Sequence, residues 1–119
     1  MIAANNLAWL YAVTGKGNLD EAVRLAQSAV QKNPNVPGFI DTLGWVYYKK
    51  KMTSLSIAAL QNSFTRDSNN PLYAYHLGLA YAQNGDIKNA RLMLEKALKL
   101  SPNFDGADNA RHILSEMLS

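Results

Sequence analysis

The chain has 119 residues, enough for one compact domain or three or four small repeats, and its 48% hydrophobic and 18% charged residues exclude a disordered protein. The net charge of +3 is a mild basic excess with one basic run, Lys49-Lys50-Lys51, whereas nucleic-acid-binding domains concentrate basic residues on one face. Cysteine is absent, which excludes disulfides, iron–sulfur clusters and cysteine-based zinc sites. The absence of cysteine is compatible with a cytoplasmic and with a periplasmic protein.

The sequence predicts neither a membrane-spanning segment nor an export signal. No apolar run approaches the ~20 residues that a transmembrane helix needs, so we expect no direct membrane insertion. Residues 1–6 lack the charged and apolar regions of a signal peptide. We therefore expect any export signal to lie outside this sequence.

Apolar residues at helical spacing predict the first two helices. The first covers about 2–13 and has no capping residue at its start, which is typical of a piece of a longer array. Glycines within 15–17 end this helix. Asn18 is expected to cap the second helix, which carries acidic residues at 20–21, next to the positive end of its dipole. Its predicted buried stripe is Ala22, Leu25, Ala26, Ala29 and Val30.

The third and fourth helices are bounded by a proline and by the lysine run. Pro37, a residue favoured in a first helical turn, starts the third helix, which ends in the three lysines. The fourth helix is predicted from Thr53 to Arg66, with Thr53 or Ser54 as its capping residue.

The last three helices have the clearest boundaries. Helices over 71–83 and 87–100 flank a short turn, in which Gly85 can adopt the left-handed conformation and Asp86 can cap the next helix. A seventh helix starts near Asp105. It has one polar and one apolar face, as expected of a terminal helix that covers the last repeat and meets water. The apolar face consists of Ala107, Ala110, Ile113, Leu114, Met117 and Leu118.

One short pattern, leucine followed by a small residue and then by tyrosine three positions later, occurs three times. Its copies are Leu7-Ala8-Trp9-Leu10-Tyr11, Leu43-Gly44-Trp45-Val46-Tyr47 and Leu77-Gly78-Leu79-Ala80-Tyr81. Such a repeat indicates stacked helix pairs, because one pair cannot bury its apolar face alone. The small residue lets two helices approach closely, and the tyrosine fills the space beside it. We therefore predict an all-α solenoid of seven helices.

These residues resemble the tetratricopeptide repeat, which places leucine, a small residue and tyrosine on the first helix of each pair and alanines on the second. In the third repeat the matching residues are Leu77, Gly78, Tyr81, Ala90, Leu94, Ala97 and Pro102. The first repeat matches with two extra residues in its turn, and the second has Ser56 and Ser63 in place of alanines. The resemblance implies a right-handed superhelical α-solenoid of antiparallel helix pairs whose concave side is lined by the first helices. It divides a single domain over 1–119 into repeats at 3–36, 37–70 and 71–104 and a capping helix at 105–119.

The turn of the second repeat departs from the pattern. It has Lys51 where the other two repeats have Gly17 and Gly85. A lysine held at positive φ costs on the order of 1 kcal/mol. We therefore expect irregular backbone geometry at this turn.

Aromatic residues that the packing pattern does not require are the candidate binding residues. Trp9 and Trp45 share one position in successive repeats, a position that faces the groove in the family that the sequence resembles. The predicted partner-binding groove consists of Asn5, Trp9, Asp41, Trp45, Tyr48, Lys49, Tyr75 and Leu79. Aromatic side chains dominate binding hot spots, which predicts a protein or peptide partner with an apolar or aromatic segment. The alternative is that these rings pack between neighbouring first helices as ordinary core.

Other kinds of site are not indicated. Some tetratricopeptide proteins hold the carboxylate terminus of heat-shock chaperones with lysine, asparagine and arginine, but Asn5, Trp9, Leu72 and His76 stand at those positions here. His76 and His112 have no second ligand near them in sequence, and no phosphate loop or nucleophile–acid–histidine set is present. We therefore expect no metal, no cofactor and no enzymatic activity. The lysine run is typical of a solvated helix end.

The sequence thus favours a non-catalytic interaction module of a larger bacterial protein, with a partner's peptide or helix in its groove. The residues around Trp9 and Trp45 also resemble repeats of bacterial exopolysaccharide-export and secretion lipoproteins. One alternative is self-association into a homo-oligomer through the uncapped N-terminal face. A third hypothesis is RNA binding by a helical-repeat array, against which the scattered charge argues.

Overall fold

The computed structural model describes residues 2–14 and 18–117, and this part of the chain folds into antiparallel helix pairs. All its regular elements are helical: α1 Ile2–Thr14, α2 Leu19–Lys32, α3 Pro37–Lys49, α4 Thr53–Arg66, α5 Pro71–Gln83, α6 Ile87–Leu100 and α7 Ala107–Met117. The predicted all-α, seven-helix architecture is confirmed over these residues. The predicted turn glycines Gly15 and Gly17, and Leu118 of the last apolar face, lie outside the described residues. No described helix is long and apolar enough to cross a membrane.

Side-chain caps start α2 and α6, as the sequence predicts. The Asn18 side chain accepts from the Asp20 amide at 2.8 Å, and the Asp86 carboxylate accepts from the Asn89 amide at 3.2 Å. The prediction that Thr53 or Ser54 caps α4 is wrong, because the N-cap residue is Met52, which makes no side-chain cap bond.

The hydroxyl of Thr53 has a different partner. It donates to the Gln83 side-chain oxygen at 2.9 Å, and the Gln83 amide nitrogen in turn donates to the Tyr48 carbonyl at 3.3 Å. A residue at the end of α5 therefore bridges the end of α3 and the start of α4. This bridge ties the second and third helix pairs together.

The turns after α3 and α5 have the same backbone geometry. Lys51 has φ 61° and Gly85 has φ 79°, and both amides donate at 3.0 Å to the carbonyl three residues earlier. In each turn the following amide donates to the carbonyl five residues back, at 2.9 and 3.0 Å. Lys51 therefore has the positive φ from which the irregular turn was expected, while the hydrogen bonds of the turn are those of the glycine turn in the next repeat.

The terminal helix begins later than the sequence suggests. Gly106 has φ 107°, so α7 starts only at Ala107, and Asp105 lies in the preceding loop instead of the first helical turn. The predicted two-faced character is present in the described residues: Ala107 and Ala110 are buried, and Ile113, Leu114 and Met117 are half-buried. The exposed residues of the opposite face are Asp108, Arg111, His112, Ser115 and Glu116.

Close helix contact explains the small residue of the repeat. A Cβ atom on Gly44 would lie 2.6 Å from the Leu60 side chain, and one on Gly78 would lie 2.8 Å from the Leu94 side chain. Neither distance is compatible with normal packing, so both positions need glycine as long as leucine stands opposite.

The serines that replace alanine in the second repeat are fully buried. Each satisfies its hydroxyl with a backbone carbonyl: Ser56 donates to Gly44 at 2.8 Å and Ser63 donates to Leu60 at 2.9 Å. A buried hydroxyl with such a partner avoids most of the cost of leaving water. Serine is therefore an adequate substitute for alanine in this repeat.

Candidate functional site

A continuous series of aromatic rings runs along the side formed by the first helices, where α3 contacts both α1 and α5. Trp45 stacks on Tyr48 at 4.8 Å and on His76 at 4.2 Å between ring centroids. Tyr75 lies 5.9 Å from His76 and 5.4 Å from Phe104, which it meets edge to face. We call these five residues the aromatic ladder.

Trp9 of α1 lies across the middle of the ladder. Its ring centroid is 6.3 Å from that of Trp45 and 5.7 Å from that of His76. Trp9 is half-buried, whereas Trp45 is only 9% exposed and His76 only 2%. Trp9 is thus the indole with more surface left for a partner.

An open pocket of about 260 Å³ lies beside the ladder, and we call it the aromatic pocket. The predicted groove residues Trp9, Trp45, Lys49 and Tyr75 lie in its wall. The wall also contains residues that were not predicted: Val13, Leu72, His76, Asp105 and Gly106.

The other four predicted groove residues lie outside the wall of this pocket. Asp41 and Leu79 are buried, at 3% and 7% exposure, and Leu79 belongs to the main hydrophobic core. Asn5 is half-buried, and its side-chain oxygen has no hydrogen-bond partner among the described residues. Tyr48 is half-buried in the ladder. Burial and, to a lesser extent, the neighbouring Tyr75 raise the pKa of Tyr48, so its phenol remains neutral at physiological pH.

Trp45 combines the two roles that the sequence leaves open. Its ring is packed between Tyr48 and His76, yet one part of it lines the aromatic pocket. The Lys49 ammonium lies 5.0 Å from the Trp45 ring centroid, in a cation–π arrangement. The indole N–H of Trp45 is buried and has no acceptor in the described part of the chain.

A buried pair formed by His76 and Asp41 lies behind Trp45. His76 Nδ1 is 2.9 Å and 3.0 Å from the two carboxylate oxygens of Asp41. An ionised carboxylate can only accept hydrogen bonds, so Nδ1 carries the hydrogen and donates. The contact joins α3 to α5 and fixes the orientation of the imidazole ring, while His76 also lines the pocket.

The loop before α7 and α7 itself hold Tyr75 in place. A Cβ atom on Gly106 would lie 2.6 Å from the Tyr75 ring, so this ring can pack there only against glycine. The Asn109 side-chain amide donates to the Tyr75 hydroxyl at 2.6 Å. The terminal helix therefore completes one wall of the aromatic pocket as well as covering the last repeat.

The lysine run is not a single solvated patch. Lys49 lies over Trp45, Lys50 pairs with Asp20 of α2, and Lys51 occupies the turn at positive φ. Only Lys49 lines the aromatic pocket.

Some of the unpredicted wall residues had a signal in the sequence. Val13 lies one helical turn after Trp9 and 36 residues before Lys49, the same spacing that separates Trp9 from Trp45. The repeat therefore places it on the groove side. Asp105 and Gly106 had no such signal, because only the packing of the last loop against α5 brings them to the pocket. Among the described residues, no group of three or more His, Cys, Asp or Glu side chains is placed to hold a metal ion.

Comparison with known families explains this architecture. Residues 73–104 match the family model of the tetratricopeptide repeat. This segment is a tetratricopeptide repeat. It coincides almost fully with the third repeat predicted from the sequence, and the predicted resemblance is confirmed. No curated protein matches the sequence significantly.

Solved structures extend the similarity to nearly the whole chain. SycD, a type III secretion translocator chaperone of Yersinia enterocolitica, superimposes with a TM-score of 0.84 at 18% identity, over 98% of this chain and 81% of that one. SycD in complex with a peptide of the translocator YopD gives 0.79 at 21% identity, over 98% and 87%. The first tetratricopeptide domain of Spaghetti (RPAP3), bound to an HSP90 peptide, gives 0.83 at 19% identity, over 98% and 91%. The chain therefore has the right-handed superhelical fold of tetratricopeptide-repeat proteins.

Proposed function

We propose that this chain is a non-catalytic interaction scaffold that binds a peptide or helix of a protein partner in its groove, with aromatic side chains as anchors. Two of the solved structures with this fold were determined with a bound peptide, which supports a protein partner. The observation that carries the proposal is the aromatic pocket, because a partly exposed indole and other apolar side chains surround it. Pockets of this kind receive the anchor residues that dominate binding energy.

Exposure divides the wall residues into two roles. Trp9 is half-buried and Val13 is 53% exposed, so both can lose apolar surface to a partner. Trp45, His76 and Tyr75 are at most 9% exposed and form the packed floor on which an anchor side chain would rest. Trp9 has more free surface than Trp45 or Tyr75, so its truncation should weaken binding with a smaller effect on folding than truncation of either of them.

Affinity capture from the source cell tests the proposal. Wild type and Trp9→Ala are compared with Leu55→Ala, a control that removes a 48% exposed side chain from α4, away from the pocket. We expect Trp9→Ala to lose the partner that wild type and Leu55→Ala recover, because truncating an anchor residue costs about 2 kcal/mol or more. Full recovery by Trp9→Ala would exclude Trp9 as an anchor. Recovery by none of the three would argue against a captured protein partner.

A second candidate function is self-association through α1. This helix has three exposed apolar side chains: Ile2 at 68%, Leu10 at 52% and Val13 at 53%. Several exposed apolar side chains on one helix indicate a surface that can associate with another protein chain, whereas a single one does not. Sedimentation equilibrium distinguishes the two functions. A concentration-dependent dimer that Leu10→Ala dissociates would support self-association, whereas a monomer at high concentration would exclude it for this chain.

A further inference from the structure

Two deeply buried side chains in the wall of the aromatic pocket have a polar atom without a partner. The Trp45 indole N–H has no acceptor among the described residues, although the residue is only 9% exposed. His76 is 2% exposed, and its Nδ1 is committed to Asp41. Nε2, the remaining polar atom of the ring, makes no hydrogen bond with the described part of the chain. An unpaired buried polar atom is costly, and of these two nitrogens the indole N–H is one. Nε2 is instead accessible from the pocket that His76 lines.

Asp41 decides what the imidazole can offer to a ligand. Because Nδ1 donates to this carboxylate, a neutral ring has only a lone pair at Nε2, whereas the imidazolium has an N–H there. The buried carboxylate also supplies the countercharge that a buried imidazolium requires. Uptake of one proton therefore converts His76 from an acceptor into a donor at the pocket.

We propose that the aromatic pocket binds a carboxylate side chain of the partner segment, adjacent to its apolar anchor, and that His76 in its imidazolium form donates to that carboxylate. This inference rests on the proposed function and specifies the partner. The Lys49 ammonium in the pocket wall adds a positive charge on the same side as Trp45. An oxygen acceptor supplies what the Nε2 N–H of the imidazolium lacks, and the charge of Lys49 favours a carboxylate over a neutral carbonyl.

A cationic partner group fits the pocket less well. Asp105 and the aromatic faces would attract it, but the Lys49 ammonium already lies 5.0 Å from the Trp45 ring centroid. A cation would also leave the indole N–H without an acceptor. A terminal carboxylate is not the assigned group, because the groove lacks the lysine, asparagine and arginine of the clamp that holds chain ends in this fold. The partner segment therefore carries an internal acidic residue beside an apolar one.

Proton uptake gives this inference a signature that packing alone does not produce. Between pH 8 and pH 5.5 a partner carboxylate stays ionised, because its ordinary pKa is about 4.3. Affinity should rise as the pH falls, by up to about tenfold per pH unit if binding requires the imidazolium. The other titratable groups around the His76 ring are Asp41 and Lys49 of α3, Asp105 of the loop before α7, and the phenols of Tyr48 and Tyr75. α1 faces the ring with Trp9.

Nitrogen–proton NMR of the two indole groups provides the test, since the chain contains only two tryptophans. The probes are hexapeptides blocked at both ends, with a central Phe–Glu, Phe–Gln or Phe–Lys pair between glycines, and an unblocked peptide that ends in phenylalanine. We expect the Phe–Glu peptide to shift the Trp45 indole signal with the highest affinity, and more strongly at pH 5.5 than at pH 8. Preference for Phe–Lys or for the free chain end, equal affinity for Phe–Gln, or binding by none of the peptides would overturn the inference.

Three substitutions identify the groups involved. His76→Gln should abolish the pH dependence, whereas a pH dependence that persists in this variant would overturn the role of His76. Lys49 and Asp105 are exposed, so their variants also serve if His76→Gln unfolds. Lys49→Gln should weaken Phe–Glu binding about two- to fivefold, as expected for one exposed charge pair, and Asp105→Asn should strengthen it. The opposite signs would show that the pocket takes a cation.

Failure of this inference is distinguishable from failure of the proposed function. If a cellular partner is captured in a Trp9-dependent manner but the peptides show no preference for glutamate, the scaffold function stands and the carboxylate assignment is wrong. If no Trp9-dependent partner is recovered, the groove itself is not the binding surface.

Discussion

The first and third helix pairs meet the same packing requirement with different residues. In the third pair Gly78 leaves room for Leu94, whose side chain would lie 2.8 Å from any added Cβ atom. In the first pair the two equivalent positions hold Ala8 and Ala26, both fully buried. The space between the helices is thus filled either by glycine with leucine or by alanine with alanine. What the fold requires at this contact is a matched pair of residues, not a glycine.

The largest expected effect comes from removing the large partner alone. Leu94 is fully buried, so Leu94→Ala should lower the free energy of unfolding by about 2–5 kcal/mol, through lost burial and the cavity left behind. Urea denaturation measures this loss. A change below 1 kcal/mol would show that the third pair collapses around the cavity and that the contact with Gly78 is not tight.

A smaller loss is expected when the small partner is enlarged. Gly78→Ala should cost about 1–3 kcal/mol, because the new methyl group overlaps the Leu94 side chain. In the Leu94→Ala background the same substitution should be neutral or stabilising, since the third pair then has the residues of the first. Additive losses in this double-mutant cycle would show that the two positions are not matched to each other.

The smallest changes in stability are expected at the turns after α3 and α5. They test the same idea, that equivalent positions share a backbone geometry although their residues differ. Lys51 and Gly85 share positive φ and the same hydrogen bonds. Lys51→Gly should therefore stabilise the protein by about 1 kcal/mol. Gly85→Ala should destabilise it by a similar amount, for conformational reasons alone, since a Cβ atom there meets nothing within 4 Å. Unchanged thermal midpoints in both variants would mean that neither turn carries backbone strain.

Much of the fold could be predicted because the residues that begin and end its helices lie close to those ends in the sequence. The bounds of α4, α5 and α6 agree with the sequence prediction at both ends. Pro71 marks the start of α5, Gly85 follows its end, and Asp86 caps α6. The cap of α4 was wrong because the Thr53 hydroxyl bonds to Gln83, thirty residues away. No local pattern contains that contact.

The candidate site was predicted less completely, for a similar reason. The repeat register identifies Trp9, Trp45, Lys49 and Tyr75, which lie in the pocket wall. It does not distinguish a ring with free surface from one packed on both faces, as Trp45 is between Tyr48 and His76. That distinction depends on the neighbours that three helices and the last loop bring together. Asp105 lies in the loop that forms part of the pocket wall, because Gly106 has positive φ and α7 starts only at Ala107.

The central claim is that the partner is held by the exposed part of the aromatic groove. It is tested most directly by the dissociation constant of a recovered partner segment for wild type and Trp9→Ala, measured by calorimetry with unfolding curves of both proteins. The account predicts a loss of about 2 kcal/mol or more, roughly thirtyfold in the dissociation constant, while the unfolding curves show both proteins folded at the temperature of the titration. Equal dissociation constants for two folded proteins would contradict it.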